Sequence, residues 1–166
     1  MRIDSARPDQ VRFVSEWMRE RDYAEMSALH FVDDRAELVE TLTLLYGKSP
    51  DTLCASWRGT PVAVGGFYQI RPGTCAMGMW ATDLFPRVGL GLTRFLVKTL
   101  MPALERSGVH RFECVSLAGY HEVHAWLRTL GLEQEGPERR NYGKNGESYV
   151  TFAKVVDHAN NGATGD

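Results

Sequence analysis

Between Leu53 and Ala81 apolar residues recur at every second position, and directly afterwards a Gly89-Leu90-Gly91 turn opens a long apolar run at helical spacing. Leu53, Ala55 and Trp57 alternate before the turn Arg58-Gly59-Thr60-Pro61, and Val62, Val64 and Phe67 carry the return strand. Gly65-Gly66 within it predicts a bulge or a close backbone approach. After Arg71-Pro72-Gly73, Cys75, Met77, Met79 and Ala81 make a third strand, completing an antiparallel meander. Leu92, Phe95, Leu96, Leu100, Met101 and Leu104 then form one helical stripe ending near Ser107-Gly108. Pro102 inside it predicts a kink or early break, because its ring clashes one turn back. Val109 to Ser116 reads as a strand. A meander followed by strand–helix–strand restricts the chain to a mixed α/β sheet.

The remaining elements fit around this unit. Ile3 to Ala6 is a short strand, and Pro8 opens an amphipathic helix to about Arg21 that carries Val11, Val14, Trp17 and Met18. Asp22 to Val32 shows no clear period. Asp33 or Asp34 caps a second helix with the stripe Leu38, Val39, Leu42, Leu45 and Tyr46, ended by Gly47 and Pro50. His121 to Leu130 is helical, with Val123, Trp126, Leu127 and Leu130 on one face and Gly131 closing it. Late strands at Arg139 to Tyr142 and Ser148 to Val155 flank the turn Gly143-Lys144-Asn145-Gly146. This hairpin offers a homodimer contact. The expected order is β-α-α-β-β-β-α-β-α-β-β, with residues 1–156 as one domain and a small, polar, disordered tail over 157–166.

Charge and cysteine usage exclude several classes of function. The net charge of -2 provides no basic field for nucleic acid or an anionic membrane. No apolar run reaches the roughly 20 residues a bilayer needs, and no signal-peptide core follows Met1-Arg2-Ile3. Cys54, Cys75 and Cys114 are odd in number and widely spaced, which argues against a disulfide framework and for a reducing, cytoplasmic setting.

The strand–glycine–helix turn carries the chemistry. A helix N-terminus presents unpaired N–H groups and a positive dipole end, and glycines there let a phosphate approach the backbone. Arg87 adds a cation. The plain alternative is that Gly89 and Gly91 only permit a tight turn. A P-loop would need Gly-Lys-Ser/Thr, and a dinucleotide fold would place its glycines after the first strand of βαβ units; neither pattern is present.

Arg87-Val88-Gly89-Leu90-Gly91 is similar to the Arg/Gln-x-x-Gly-x-Gly/Ala loop of the GNAT N-acyltransferases, and the element order over about Ile3 to Val155 resembles theirs. Matching Gly89 and Gly91 puts Pro86 at the Arg/Gln position; matching Gly91 and Thr93 puts Val88 there. His124-Ala125-Trp126-Leu127-Arg128-Thr129-Leu130-Gly131-Leu132 resembles the family's Ala…Leu-Tyr-x-x-x-Gly-Phe segment, with Leu127 in place of the tyrosine that protonates the leaving thiolate. The likeness implies acyl transfer from acetyl-CoA to a primary amine. The implied contacts are Leu84, Phe85, Arg87, Val88, Gly89, Leu90, Gly91, Leu92, Thr93, Ser116 and Trp126. Pantetheine would lie between the strands Cys75–Thr82 and Val109–Ser116, and the acceptor would enter over Asp22 to Val32. A narrower likeness, to GNAT-like proteins of tailed phages, implies virion partners and a catalytically inactive binding protein as the other reading.

Acyl transfer also needs a proton acceptor, and Asp83, Glu113 and His121 are the candidates. Each has an ordinary alternative. Asp83 suits a loop carboxylate, Glu113 a cross-strand partner of Arg111 or Arg140, and His121, with His124, an exposed helix end. The spacing of these histidines and Cys114 is poor for a metal. No nucleophile elbow surrounds Ser116, and Cys114 has no nearby base, so a hydrolase reading lacks its nucleophile.

Overall fold

The computed structural model describes residues 1–156; the expected disordered tail lies outside the described residues. The elements run β1 (Arg2–Ser5), α1 (Pro8–Glu16), α2 (Glu20–Ala28), α3 (Arg35–Tyr46), β2 (Thr52–Trp57), β3 (Thr60–Arg71) and β4 (Thr74–Ala81). They continue with α4 (Gly89–Phe95), α5 (Met101–Arg106), β5 (Arg111–Leu117), α6 (His121–Thr129), β6 (Glu133–Gln134) and β7 (Tyr149–Val155). Seven strands form one sheet in the order β1-β2-β3-β4-β5-β7-β6, and all adjacent pairs are antiparallel except β4 with β5. The mixed α/β class and the meander are as the alternation predicts.

The two faces of the sheet are covered separately. Val11 and Val14 of α1 and Leu38 and Leu42 of α3 pack on Cys54, Val64 and Trp80. On the other face, Leu92, Leu96, Met101, Leu127 and Leu130 cover Phe67, Phe112 and Phe152. Trp80 is fully buried and donates its indole N–H to Ser15 Oγ at 3.0 Å, so the largest core side chain carries no unpaired donor. Asp34 caps α3 by accepting Glu37 N–H at 2.9 Å. Leu45, expected in the stripe of α3, is 55% exposed.

Three expectations are corrected and one is met, each for a local reason. The first helix stops at Glu16 because Met18 bridges Thr82 and Arg19 N–H donates to Ala81 C=O at 2.9 Å. The chain pairs with the end of β4, then turns into α2, within the segment expected to be irregular. Gly65 and Gly66 keep a continuous register with β4; they mark close approach, since a Cβ at Gly65 would lie 2.8 Å from Met79 Cα. Pro102 does not break its helix. A wide π turn at Leu96–Leu100, in which Met101 N–H reaches back to Leu96 C=O, carries α4 into α5.

The late hairpin is the third correction. Residues 139–142 form no strand; Arg139 makes an isolated bridge to Tyr149, and the strand paired with β7 is β6, at Ala153 and Phe152. The donors of the turn go elsewhere: Gly143 N–H to Glu147 C=O at 3.0 Å, Asn145 N–H to Glu147 Oε2 at 2.9 Å, and Lys144 N–H to Ala28 C=O at 2.9 Å. The turn therefore docks on the end of α2 in the same chain.

Asp22 of α2 is buried and accepts Ala81 N–H at 2.7 Å while Arg19 forks onto both of its oxygens. Removing it strands a buried donor and a half-buried guanidinium, whereas an amide keeps one acceptor for Ala81. Asp22→Ala is expected to cost about 2–4 kcal/mol and Asp22→Asn about 1 kcal/mol or less, read from denaturant unfolding at neutral pH.

Candidate functional site

β4 and β5 are parallel but pair at only three positions, Thr74 with Arg111, Cys75 with Phe112 and Ala76 with Glu113. Beyond these the strands part, yet each stays paired on its other edge: β4 with β3 as far as Ala81, β5 with β7 as far as Leu117. The strands are whole and the sheet between them is split.

Helix α2 sits across the open end of the split. Asp22 takes the Ala81 N–H of β4, and one turn later Glu25 Oε1 takes the Leu117 N–H of β5 at 2.8 Å. His124 Nε2 lies 3.0 Å from Leu117 C=O. Along a strand, N–H and C=O groups turn to alternate edges, so Met77 and Met79 face the same way as Ala81, and Val115 the same way as Leu117. The C=O of Met77, whose N–H closes the last rung on Glu113 C=O, and both main-chain groups of Met79 and Val115 face the gap without a strand partner among the described residues.

The gap opens into a cleft of about 400 Å³. Met77–Met79, Cys114–Ser116, Phe85 and Trp126 line it, with Asp22, Glu25 and Met26 of α2. Tyr46 and His30 line it too, although Tyr46 packs against Trp80 on the opposite face, so the cleft passes through the sheet. Burial raises the carboxyls of Asp22 and Glu25, against the pull of Arg19 on the former and the Leu117 N–H on the latter. Burial, with the charges of Glu25 and Glu113, pushes the Cys114 thiol up to about 12. It is a thiol at neutral pH and no nucleophile.

At the rim, a single turn of 3-10 helix, Phe85–Arg87, precedes α4. Buried Val88 anchors the junction, and the first α4 bond runs from Leu92 N–H to Val88 C=O at 2.8 Å. The amides of Gly89, Leu90 and Gly91 precede it and have no partner inside the helix. A Cβ on Gly89 would meet the Phe85 ring at 3.2 Å, and one on Gly91 the end of the Met1 side chain at 2.6 Å. Thr93 Oγ1 donates to Gly89 C=O at 2.7 Å and accepts Trp126 Nε1–H at 2.8 Å, which ties α6 to α4 across the mouth.

The expected contacts divide accordingly. Ser116 and Trp126 line the cleft, and Phe85 and Thr93 stand at its rim. Leu90 and Arg87 are exposed beside the helix start, and Leu84 is exposed away from the cleft lining. Val88 and Leu92 turn their side chains into the core and leave only main chain for a ligand. Neither loop register places a cation at its first position: Pro86 is exposed and Val88 buried, with Arg87 between them.

The three expected proton acceptors are not brought together. Asp83 is exposed beyond the end of β4. Glu113 lies in the paired part of β5, held by Arg111 at 2.6 Å and Arg71 at 3.1 Å. His121 is exposed at the start of α6. Sequence reasoning missed Asp22, Glu25, His30 and Tyr46. The available signal was the i, i+3 spacing of Asp22 and Glu25, which puts both acids on one helix face. Among the described residues no group of three or more His, Cys, Asp or Glu is placed to hold a metal, and no helix is long and apolar enough to cross a membrane.

No family model and no curated protein matches the sequence. Solved structures do match. The ribosomal-protein-alanine N-acetyltransferase of Brucella melitensis aligns over 94% of this chain and 100% of its own, with a TM-score of 0.69 at 17% identity. The ribosomal-protein-S18-alanine N-acetyltransferase of Escherichia coli aligns over 98% and 97%, with a TM-score of 0.67 at 17% identity. A GNAT superfamily phosphinothricin acetyltransferase from Sinorhizobium meliloti, solved in complex with AcCoA, aligns over 98% and 91%, with a TM-score of 0.67 at 17% identity. At these identities the likeness is one of fold: the chain shares its mixed α/β architecture with these N-acetyltransferase structures over nearly the whole length of both chains.

Proposed function

We propose that this chain is an acyl-CoA-dependent N-acyltransferase that moves an acetyl group from acetyl-CoA to a primary amine. The observation that carries the reading is the held-open gap, with main-chain groups of Met77, Met79 and Val115 facing it beside the start of α4. A pantetheine arm carries two amides of its own and can pair with those groups as a short strand would. The diphosphate then reaches the free amides of Gly89, Leu90 and Gly91, with Arg87 nearby.

In this arrangement a main-chain N–H of β4 polarises the thioester carbonyl, a fixed donor in a site that excludes water. The amine attacks the carbonyl carbon, the C–S bond breaks with its electron pair passing to sulfur, and a nitrogen proton ends on the thiol. Leu127 is 2% exposed in the core, so the position where the resemblance puts a tyrosine supplies no proton. That residue favours a second reading, a GNAT-fold protein that binds acyl-CoA without turnover. Release of free CoA thiol from acetyl-CoA in the presence of primary amines separates the two.

Two outcomes are expected. Acetyl-CoA at a hundred times its dissociation constant adds about 2.7 kcal/mol to the unfolding free energy, and no shift in thermal unfolding at millimolar ligand contradicts a CoA site. Leu90 is 67% exposed in the first turn of α4. Leu90→Asp therefore leaves stability unchanged or slightly raised, since an acid suits a helix N-terminus. The same charge repels a diphosphate, so titration calorimetry should show acetyl-CoA affinity falling about tenfold. Unchanged affinity would place the diphosphate elsewhere.

A further inference from the structure

A second, smaller space of about 30 Å³ lies between the sheet and the helix that leads away from the cleft rim. Ala55, Ala63 and Gly65 bound it on the sheet side, and Leu92, Leu96 and Leu100 on the helix side. Two local features leave it unfilled. Alternation along β3 puts Gly65 on the same face as Ala63 and Phe67, paired with Met79 of β4, so the position beside Met79 carries no side chain. Across from it, the π turn Leu96–Leu100 gives both of its end residues to the wall, and such wide turns are frequent at functional sites. Every residue around the space is apolar, and the one side-chain donor, Trp126 Nε1–H, is spent on Thr93. Water finds no partner in such a space, which stays dry and accepts apolar groups.

The space adjoins the cleft. Met77, Gly78, Met79 and Trp126 line both, and the two methionines stand half-buried between them. Their unbranched thioether side chains adapt readily to a new neighbour. With the thioester carbonyl on an N–H of β4 in the gap, the acyl carbons lie beside Met79, at the entrance to the space.

We propose that this space is the pocket for the acyl chain, and that the protein takes a straight acyl group longer than acetyl. The inference rests on the acyl-CoA reading and names the acyl group of the same site. A void of this size holds about two water-sized groups, so acetyl extended by about two methylenes, a butyryl group, fills it. A succinyl group has the same length but would carry its carboxylate into a space with no polar partner, and is excluded.

Titration calorimetry on the full chain with acetyl-, propionyl-, butyryl-, hexanoyl- and succinyl-CoA tests the pocket. Each methylene taken out of water is worth about fourfold in affinity, so propionyl-CoA should bind about fourfold and butyryl-CoA about fifteenfold more tightly than acetyl-CoA. Hexanoyl-CoA should bind no more tightly than butyryl-CoA, and succinyl-CoA no more tightly than acetyl-CoA. Ala63 is buried in the wall, and Ala63→Val adds about the volume that the void lacks. That variant should bind acetyl-CoA as the wild type does and lose the preference for butyryl-CoA. Affinity that does not rise from acetyl to butyryl, a rise that succinyl shares, or a rise that Ala63→Val leaves intact overturns the pocket and leaves the acyl-CoA site standing. If none of the five compounds binds, the acyl-CoA reading falls and the pocket with it. Should Ala63→Val fail to fold, Leu100→Ala at the half-buried end of the π turn decides. Tightest binding moved to hexanoyl-CoA supports the pocket, and an unmoved optimum overturns it.

Discussion

Two carboxylates one helical turn apart, each bonded to the last cleft-facing N–H of a different strand, hold this sheet open. Asp22 takes Ala81 on β4 and Glu25 takes Leu117 on β5. Without them, the ends of two neighbouring parallel strands would present buried donors whose natural partners are the carbonyl groups of the facing strand. Helix α2 offers those donors better acceptors and occupies the place where the ladder would have closed. The gap is therefore a satisfied structure, complete in its hydrogen bonds at both ends and open only between them.

Holding it open costs electrostatic free energy. Burial raises both carboxyls, so the native state binds their protons more tightly than the unfolded chain does. Their stabilising contribution is full below the unfolded value and is lost as pH rises through the folded one. Arg19 offsets the cost at Asp22 and stacks on Phe85 at 4.9 Å, which links the wedge to the cleft rim. At Glu25 the offset comes from the Leu117 N–H and the Ser116 hydroxyl, with Arg19 contributing less.

Much of this architecture is legible in the residues. Alternation from Leu53 to Ala81 marks the meander, Asp34 and Pro8 mark helix starts, and the change of period at Gly89 marks the strand–helix crossover. What could not be read depends on tertiary partners. Met18 and Arg19 continue a helical stripe yet pair with β4, because the sheet edge there offers a better acceptor than the next helical turn. α2 carries little apolar periodicity because its inner face holds Asp22 and Glu25, whose environment is created by strands distant in sequence. Asn145-Gly146 looks like a hairpin turn, but Glu147 folds back onto its donors. The glycines of the α4 junction were visible and the acids facing them were not, since a gap between strands leaves no periodic trace.

Amide hydrogen exchange at Met79 and Val115, resolved by NMR with and without acetyl-CoA, tests the open gap most directly. These amides should exchange quickly in the free protein, while neighbours paired on the outer edges stay protected, and should become protected when acetyl-CoA is bound. Slow exchange in the absence of ligand would mean that β4 and β5 close on each other in solution. Unaltered exchange at saturating acetyl-CoA would mean that nothing of the cofactor lies between them.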